Sequence, residues 1–354
     1  MSVRQSLLVY TLSHFVVDFA CFFFLFSAFS EATSSSLSLL TTGFLAYNVV
    51  AFGLQPLIGY WFDVRRRRNP ALTGCLLLTA GLLLAALPWA SLFLCSIGNA
   101  FFHVGGGVDS LLHSNGKIAR SGVFVSSGAL GVILGTLAAQ GRIPLLPVLL
   151  AVLACAGFLY RCASPAPIST SPTFTDPSHS PGNRLPLSLL LILCLSAILV
   201  RSYIGSVVPI SWKNDLYVLL PPACAFLGKF SGGFLADRFG AKWVGCLSLL
   251  LSCPLLCFFS HNILLCSLGL FLFNLPMSIT LWGIYWRFPC YPSLSFGLTT
   301  LALLCGVLPT FFYQLPEAAY PFLALFLILF SAACIALVIP NQKRKGGVSP
   351  CCKK

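Results

Sequence analysis

The sequence predicts an all-α membrane protein of twelve transmembrane helices, arranged as two pseudo-symmetric six-helix bundles. Three observations predict it. The 354-residue chain is 58% hydrophobic and only 8% charged, where a soluble domain carries about 25% charged residues. Apolar stretches of roughly 20 residues, each long enough to cross a bilayer as a helix, recur from end to end. One polar turn occurs once per half. The first copy reads Gly59-Tyr60-Trp61-Phe62-Asp63-Val64-Arg65; the second reads Gly233-Phe234-Leu235-Ala236-Asp237-Arg238-Phe239-Gly240-Ala241-Lys242. The two aspartates lie 174 positions apart, close to half the chain, as a duplicated unit requires.

The elements follow in order. Helix 1, about 6–29, is an apolar run too long for a cleavable leader and is read as the first span. Helix 2, about 37–62, ends on the first polar turn. Helix 3 is expected over 70–88. Helix 4, about 91–113, contains His103 and the run Gly105-Gly106-Gly107, which would loosen the helix or admit a ligand to its backbone. Helix 5 covers about 120–140 and helix 6 about 144–161, closing a first bundle at 1–161. Residues 162–185 are rich in proline, serine and threonine without apolar period, and read as a flexible cytoplasmic linker. The second bundle, 186–339, holds helices at about 186–207, 215–236 (ending on the second polar turn), 242–260, 262–286, 293–313 and 318–339. A basic tail, 340–354, closes the chain.

Charge sets the orientation. With both termini cytoplasmic, 17 of the 21 lysines and arginines fall in inner segments, among them Arg65–Arg68, while outer loops hold only Arg142 and Lys213. Arg201 and Lys229 lie within spans. This asymmetry follows the positive-inside rule for a multi-pass protein of the cell membrane. The net charge of +13 is spread between apolar runs rather than over one polar face, so nucleic acid is not an expected partner. The sixteen cysteines are scattered, mostly inside apolar runs as at Cys75, Cys95 and Cys194, and no spacing suggests a metal site or a disulfide framework.

The second polar turn matches, position by position, the cytoplasmic loop signature of the major facilitator superfamily, which the chain resembles over its whole length in topology. The first copy departs from it, with Val64 for a basic residue and Arg66 for the second glycine. The resemblance implies that Gly59, Asp63, Arg65, Gly233, Asp237, Arg238, Gly240 and Lys242 are conformational residues whose charge relay holds one gating state. A narrower likeness is carried by Ser13-His14-Phe15-Val16-Val17-Asp18 and Ala100-Phe101-Phe102-His103, which resemble the fosmidomycin-resistance branch of drug exporters, although Val104 stands where that branch commonly has proline. In helix 5, Gly122, Gly131 and Gly135 are spaced as in the family's antiporter motif, which then breaks off at Thr136, Ala139 and Gln140. Close helix packing by small residues explains these glycines as well.

An ionisable side chain at the bilayer centre costs roughly 2.5–3.5 kcal/mol on insertion scales, so each needs a reason. His14 and Asp18, spaced i,i+4, share a helix face near mid-membrane. The resemblance implies that helices 1, 4, 7 and 10 line the central cavity. His14, Asp18, His103 and Arg201 are therefore expected to form one polar cluster, with Arg201 taking an anionic group and Asp18 exchanging protons. Lys229 is expected to snorkel to the inner surface, Asp109 to cap or gate near the cytoplasmic edge, and Trp282, Tyr285 and Trp286 to form an interfacial belt.

The expected function is secondary active transport of a small organic solute by alternating access, energised by a proton gradient, with drug or metabolite efflux favoured over import by proton symport. The alternatives are a membrane-embedded enzyme and a transport-inactive receptor. Neither a Gly-x-Ser-x-Gly elbow nor a multi-aspartate metal motif is present, so no catalytic residue is assigned, and a nucleotide-binding Gly-x4-Gly-Lys-Ser/Thr run is missing too. No cofactor or metal is expected. The partners are the lipid bilayer and one small-molecule substrate, and the chain is expected to be a monomer.

Overall fold

Helices and no strands build the described part of the computed structural model, which covers residues 3–34, 36–65, 69–114, 116–161, 185–213 and 217–340. Most of the expected linker, the tail beyond 340, and Arg66, Arg67 and Arg68 lie outside the described residues. We number the helices α1 Arg4–Ala32, α2 Leu37–Arg65, α3 Pro70–Leu83, α4 Pro88–Leu112, α5 Ala119–Gln140 and α6 Leu145–Arg161, then α7 Leu187–Val207, α8 Leu220–Phe239, α9 Ala241–Phe258, α10 Ile263–Arg287, α11 Pro292–Phe311 and α12 Tyr320–Val338. Among the described residues nine are both long and apolar enough to cross a membrane; α3 and α6 are shorter apolar helices, and α8 carries Lys229, Asp237 and Arg238. The chain is a multi-pass membrane protein. Its outside is apolar, with Leu57, Phe158, Leu264 and Phe322 each more than 60% exposed, as lipid rather than water demands.

Local chemistry corrects several helix ends. Helix α3 stops at Leu83, and Pro88 opens α4 instead of extending α3, because proline lacks the N–H an interior position needs but suits a first turn. Pro221 and Pro222 likewise sit in the first turn of α8, which begins at Leu220. Pro276 breaks α10 at Leu275 into Ile263–Asn274 and Pro276–Arg287. Gly240 joins α8 to α9 at φ +97°, a conformation that favours glycine at this position of the signature.

Two hydrophobic clusters form the interior. One is built by α1–α6 and takes in Leu281 and Phe296 from the second half; the other is built by α7–α12 and takes in Ile118 from the first. Helix α5 lies on α1 through Gly131 and Gly135, where a Cβ would strike the carbonyl oxygens of Phe15 and Phe19. Backbone cannot yield as a side-chain tip can, so Gly135→Leu is expected to destabilise the chain by about 1–3 kcal/mol or more, read as a lower thermal unfolding midpoint in detergent. An unchanged midpoint would show that α1 and α5 separate freely. Gly122 does not belong to that stripe. A Cβ there would meet the Lys229 carbonyl at 2.9 Å, so it faces α8 of the other half. The three glycines of helix 5 thus serve two interfaces.

Candidate functional site

The signature aspartates reach across the molecule. Asp63, at the end of α2, accepts hydrogen bonds from Ser293 N (3.1 Å) and Leu294 N (2.8 Å) at the start of α11. Asp237, at the end of α8, accepts them from Ile118 N (2.8 Å) and Ala119 N (3.1 Å) at the start of α5. Each carboxylate caps a helix of the opposite half, satisfying N–H groups that have no intrahelical partner and meeting the positive end of the helix dipole. The signature glycines let the backbones close. A Cβ on Gly59 would lie 2.5 Å from Ser293 O, and one on Gly233 would lie 2.6 Å from Ala119 Cα. The pattern repeats one turn deeper, where Gly297 abuts Gln55 as Gly122 abuts Lys229. A two-fold seam therefore joins α2 to α11 and α5 to α8 on the face bearing both signatures. Both oxygens of each aspartate accept from backbone N–H groups. Arg65 lies over the Trp61 ring at 5.7 Å, and Arg238 over Phe239 at 5.3 Å. Lys242 is half-buried near the start of α9.

Deeper in the first half, three of the four expected polar residues meet. His14 Nε2 lies 2.9 Å from His103 Nε2 and 3.3 Å from Asp18 Oδ2, and His103 Nε2 lies 3.6 Å from Asp18 Oδ1. All three are buried. Asn99, one helical turn before His103 on α4, donates to Asp18 Oδ1 at 2.9 Å. His14 Nδ1 bonds to Phe124 O at 2.7 Å, beside Ser127 Oγ, and His103 Nδ1 bonds to Asn99 O at 3.0 Å. The His14 ring stacks on Phe124 at 4.5 Å, and Phe52 and Phe296 flank His103. Phe296 belongs to α11, so the other half contributes part of the wall around the trio. The Gly105–Gly107 run neither loosens α4 nor opens it. It admits Ala71 and the rings of Phe124 and Phe296 to close contact.

Arg201 is not in that cluster. It is buried in α7, where Nη2 donates to Thr280 Oγ1 at 3.1 Å and approaches Met277 Sδ at 3.6 Å, both on α10. Its Nε is buried without a hydrogen-bond partner. A cavity of about 340 Å³ opens beside it, lined also by Lys229, Asn274, Phe273 and Ser202. Lys229 thus faces this cavity and does not snorkel outward. Among the described residues no carboxylate lies within 4.0 Å of either cation. The expected joint cluster divides because helical period fixes which residues share a face but not how two helices are rotated toward each other.

Other expectations also change. Trp282 is buried in the second-half interior and lies 5.4 Å from Trp286, so these rings are packing residues and not an interfacial belt. Asp109 is buried and accepts from Ser6 Oγ at 3.1 Å, with His113 Nδ1 also at 3.1 Å. That hydrogen bond raises the His113 imidazole above its ordinary value, against partial burial and the neighbouring Arg120 charge. A raised folded value stabilises the fold below the unfolded value of about 6.5, and that stability is lost as pH rises through the folded value. The thermal midpoint of the wild type is expected to fall with rising pH relative to His113→Gln. Parallel curves would remove this contact from the stability of the fold.

No protein-family model matches the sequence, and no curated protein does. Solved structures do match. The chain is similar to the E. coli fucose:proton symporter (TM-score 0.68, 14% identity, 96% of this chain and 98% of that one). It is also similar to a human organic anion transporter (0.63, 14%, 95% and 98%) and to a bacterial homologue of the iron transporter ferroportin in an outward-facing state (0.58, 16%, 96% and 98%). At these identities the likeness establishes the fold, that of major facilitator superfamily transporters.

Proposed function

We propose that this chain is a secondary active transporter that moves a small organic anion across the cell membrane by alternating access. The observation that carries the reading is the pair of reciprocal caps at Asp63 and Asp237. They clamp the two halves at one face only, through a handful of hydrogen bonds whose loss would let that face part. The basic bias of the loops supports placing that face, and both termini, in the cytoplasm. The cargo class rests on the cavity beside Arg201 and Lys229, where among the described residues no carboxylate lies within 4.0 Å of either cation and one guanidinium N–H has no acceptor. An organic anion would supply both.

The driving ion in this reading is the proton, carried by the His14–Asp18–His103 trio on the far side of Phe296 from the second half. Opening the seam moves Phe296 away from the trio, which links its solvent access to the cycle. Export, as in the fosmidomycin-resistance branch that His14, Asp18 and His103 resemble, is the proposed direction, and a single chain is the working unit. The test is the purified protein in liposomes with an imposed pH gradient and a panel of labelled organic anions. Uphill movement that follows the gradient supports the proposal, and its sign decides export against import by symport. Movement indifferent to the gradient rejects proton coupling; movement of no solute rejects transport. Asp18→Asn is expected to abolish uphill movement while leaving equilibrium exchange, and unchanged uphill movement would remove Asp18 from coupling.

A further inference from the structure

We infer that His14, Asp18 and His103 form a binding site for one divalent transition-metal ion of the zinc class. The argument begins with the hydrogen bonds at the back of each ring. A backbone carbonyl only accepts, so His14 Nδ1 must donate to Phe124 O and His103 Nδ1 to Asn99 O. Each neutral ring then carries a bare lone pair at Nε2. These two atoms stand 2.9 Å apart, so while both rings are neutral no proton lies between them. Asp18 adds carboxylate oxygens at 3.3 and 3.6 Å. Three electron-pair donors confront one another in a buried space, and among the described residues no lysine or arginine lies within 4.0 Å of the carboxylate. A dication between them turns a repulsive arrangement into an attractive one.

The dimensions suit a first-row ion. At metal–ligand distances of about 2.0–2.2 Å, the observed separations correspond to ligand–metal–ligand angles of roughly 90° between the two nitrogens and roughly 105–120° between nitrogen and oxygen. Two imidazoles and one carboxylate are a donor set for zinc and its neighbours rather than for calcium or magnesium. The outer contacts are those of metal sites: each ring is held through Nδ1–H on a carbonyl, and Asn99 orients the carboxylate. Helix α5 closes directly on the trio because it presents a glycine there. A Cβ on Gly128 would strike Asp18 Oδ2 and lie 2.6 Å from His14 Nε2. Local cysteine and histidine spacing does not reveal this site, because its ligands lie up to 89 positions apart.

The ion would occupy the same lone pairs as the proton of the proposed coupling and compete with it, but its binding is read with no solute moving, so its failure and the failure of the transport reading are distinguishable. The test uses the full chain, purified, stripped with a chelator and placed in nanodiscs. Titration of zinc chloride by calorimetry is expected to give one ion per chain, and Co²⁺ is expected to give visible d–d absorption with imidazole ligation. His103→Gln and Asp18→Asn should each weaken zinc binding at least tenfold, while His261→Ala, at an exposed histidine, should leave it unchanged. A folded wild type that takes up no zinc overturns the proposal whatever the variants do. So does zinc binding that survives His103→Gln, or that is lost with His261→Ala.

Discussion

The double variant Asp63→Ala/Asp237→Ala is expected to release the seam between the halves and expose the first turns of α5 and α11. Each aspartate satisfies two backbone N–H groups at the start of a helix in the other half. Losing such a cap costs about 0.5–2 kcal/mol, and the charge–dipole contribution adds several tenths more. For the pair this amounts to about 2–4 kcal/mol, a shift of roughly 30- to 1,000-fold between closed and open seam. The cost falls on the closed state alone, because the caps cannot form once the halves part. Hydrogen exchange followed by mass spectrometry reads this directly. Residues 118–122 and 293–297 should lose protection together, whereas the interior of α6, which packs on α1 and α3 of its own half, should not. Each single variant should give part of the effect, since the two caps are separate bonds on a shared motion. Unaltered protection in the double variant would mean that glycine-mediated packing holds the seam and that the aspartates are ordinary turn residues.

Replacing Arg201 has the second large effect. Its guanidinium is buried, one amino group contacts Thr280 and Met277, and Nε has no acceptor. Lysine at this position keeps a charge but loses the planar fork that engages a carboxylate or phosphate through two bonds. A hydrogen bond to a charged group contributes about 1.5–3 kcal/mol, so Arg201→Lys should weaken binding of an anionic cargo by about 10- to 100-fold, and Arg201→Met should weaken it further. Equilibrium binding of labelled anions to the purified protein measures this without requiring transport. Lys229→Met should have a smaller effect of the same sign, because that cation is less buried and sits on a flexible stem. Equal affinity for organic anions in wild type and Arg201→Met would assign the cavity to a neutral or cationic solute.

The parts of the site that could be read along the chain are those set by short spacing. His14 and Asp18 share a face because four residues make about one turn, and they meet as expected. Asn99 was legible by the same rule, standing i−4 from His103, yet a lone asparagine in an apolar helix carries no signal until a carboxylate is placed opposite it. Arg201 stands apart from the trio because its depth follows from residue counting while its direction depends on how α7 turns against α10. Lys229 departs from the expected snorkel for a similar reason. A long stem can reach the surface, but the cavity beside α8 offers its ammonium a nearer polar space.

Composition and apolar run length determined by themselves that this is a multi-pass helical membrane protein, because burial in lipid constrains every residue of a span in the same way, and the repeated polar turn pointed by resemblance to the fold that the solved structures share. They also marked Asp63 and Asp237 as a related pair. Only the tertiary structure decided that each caps a helix of the other half, that the histidine–aspartate trio and the arginine cavity are separate, and that Asn99 and Phe296 belong to the trio's surroundings. Those facts depend on the rotation and approach of helices whose contacting residues are dozens to hundreds of positions apart. That freedom is settled by packing in three dimensions, and no local period encodes it.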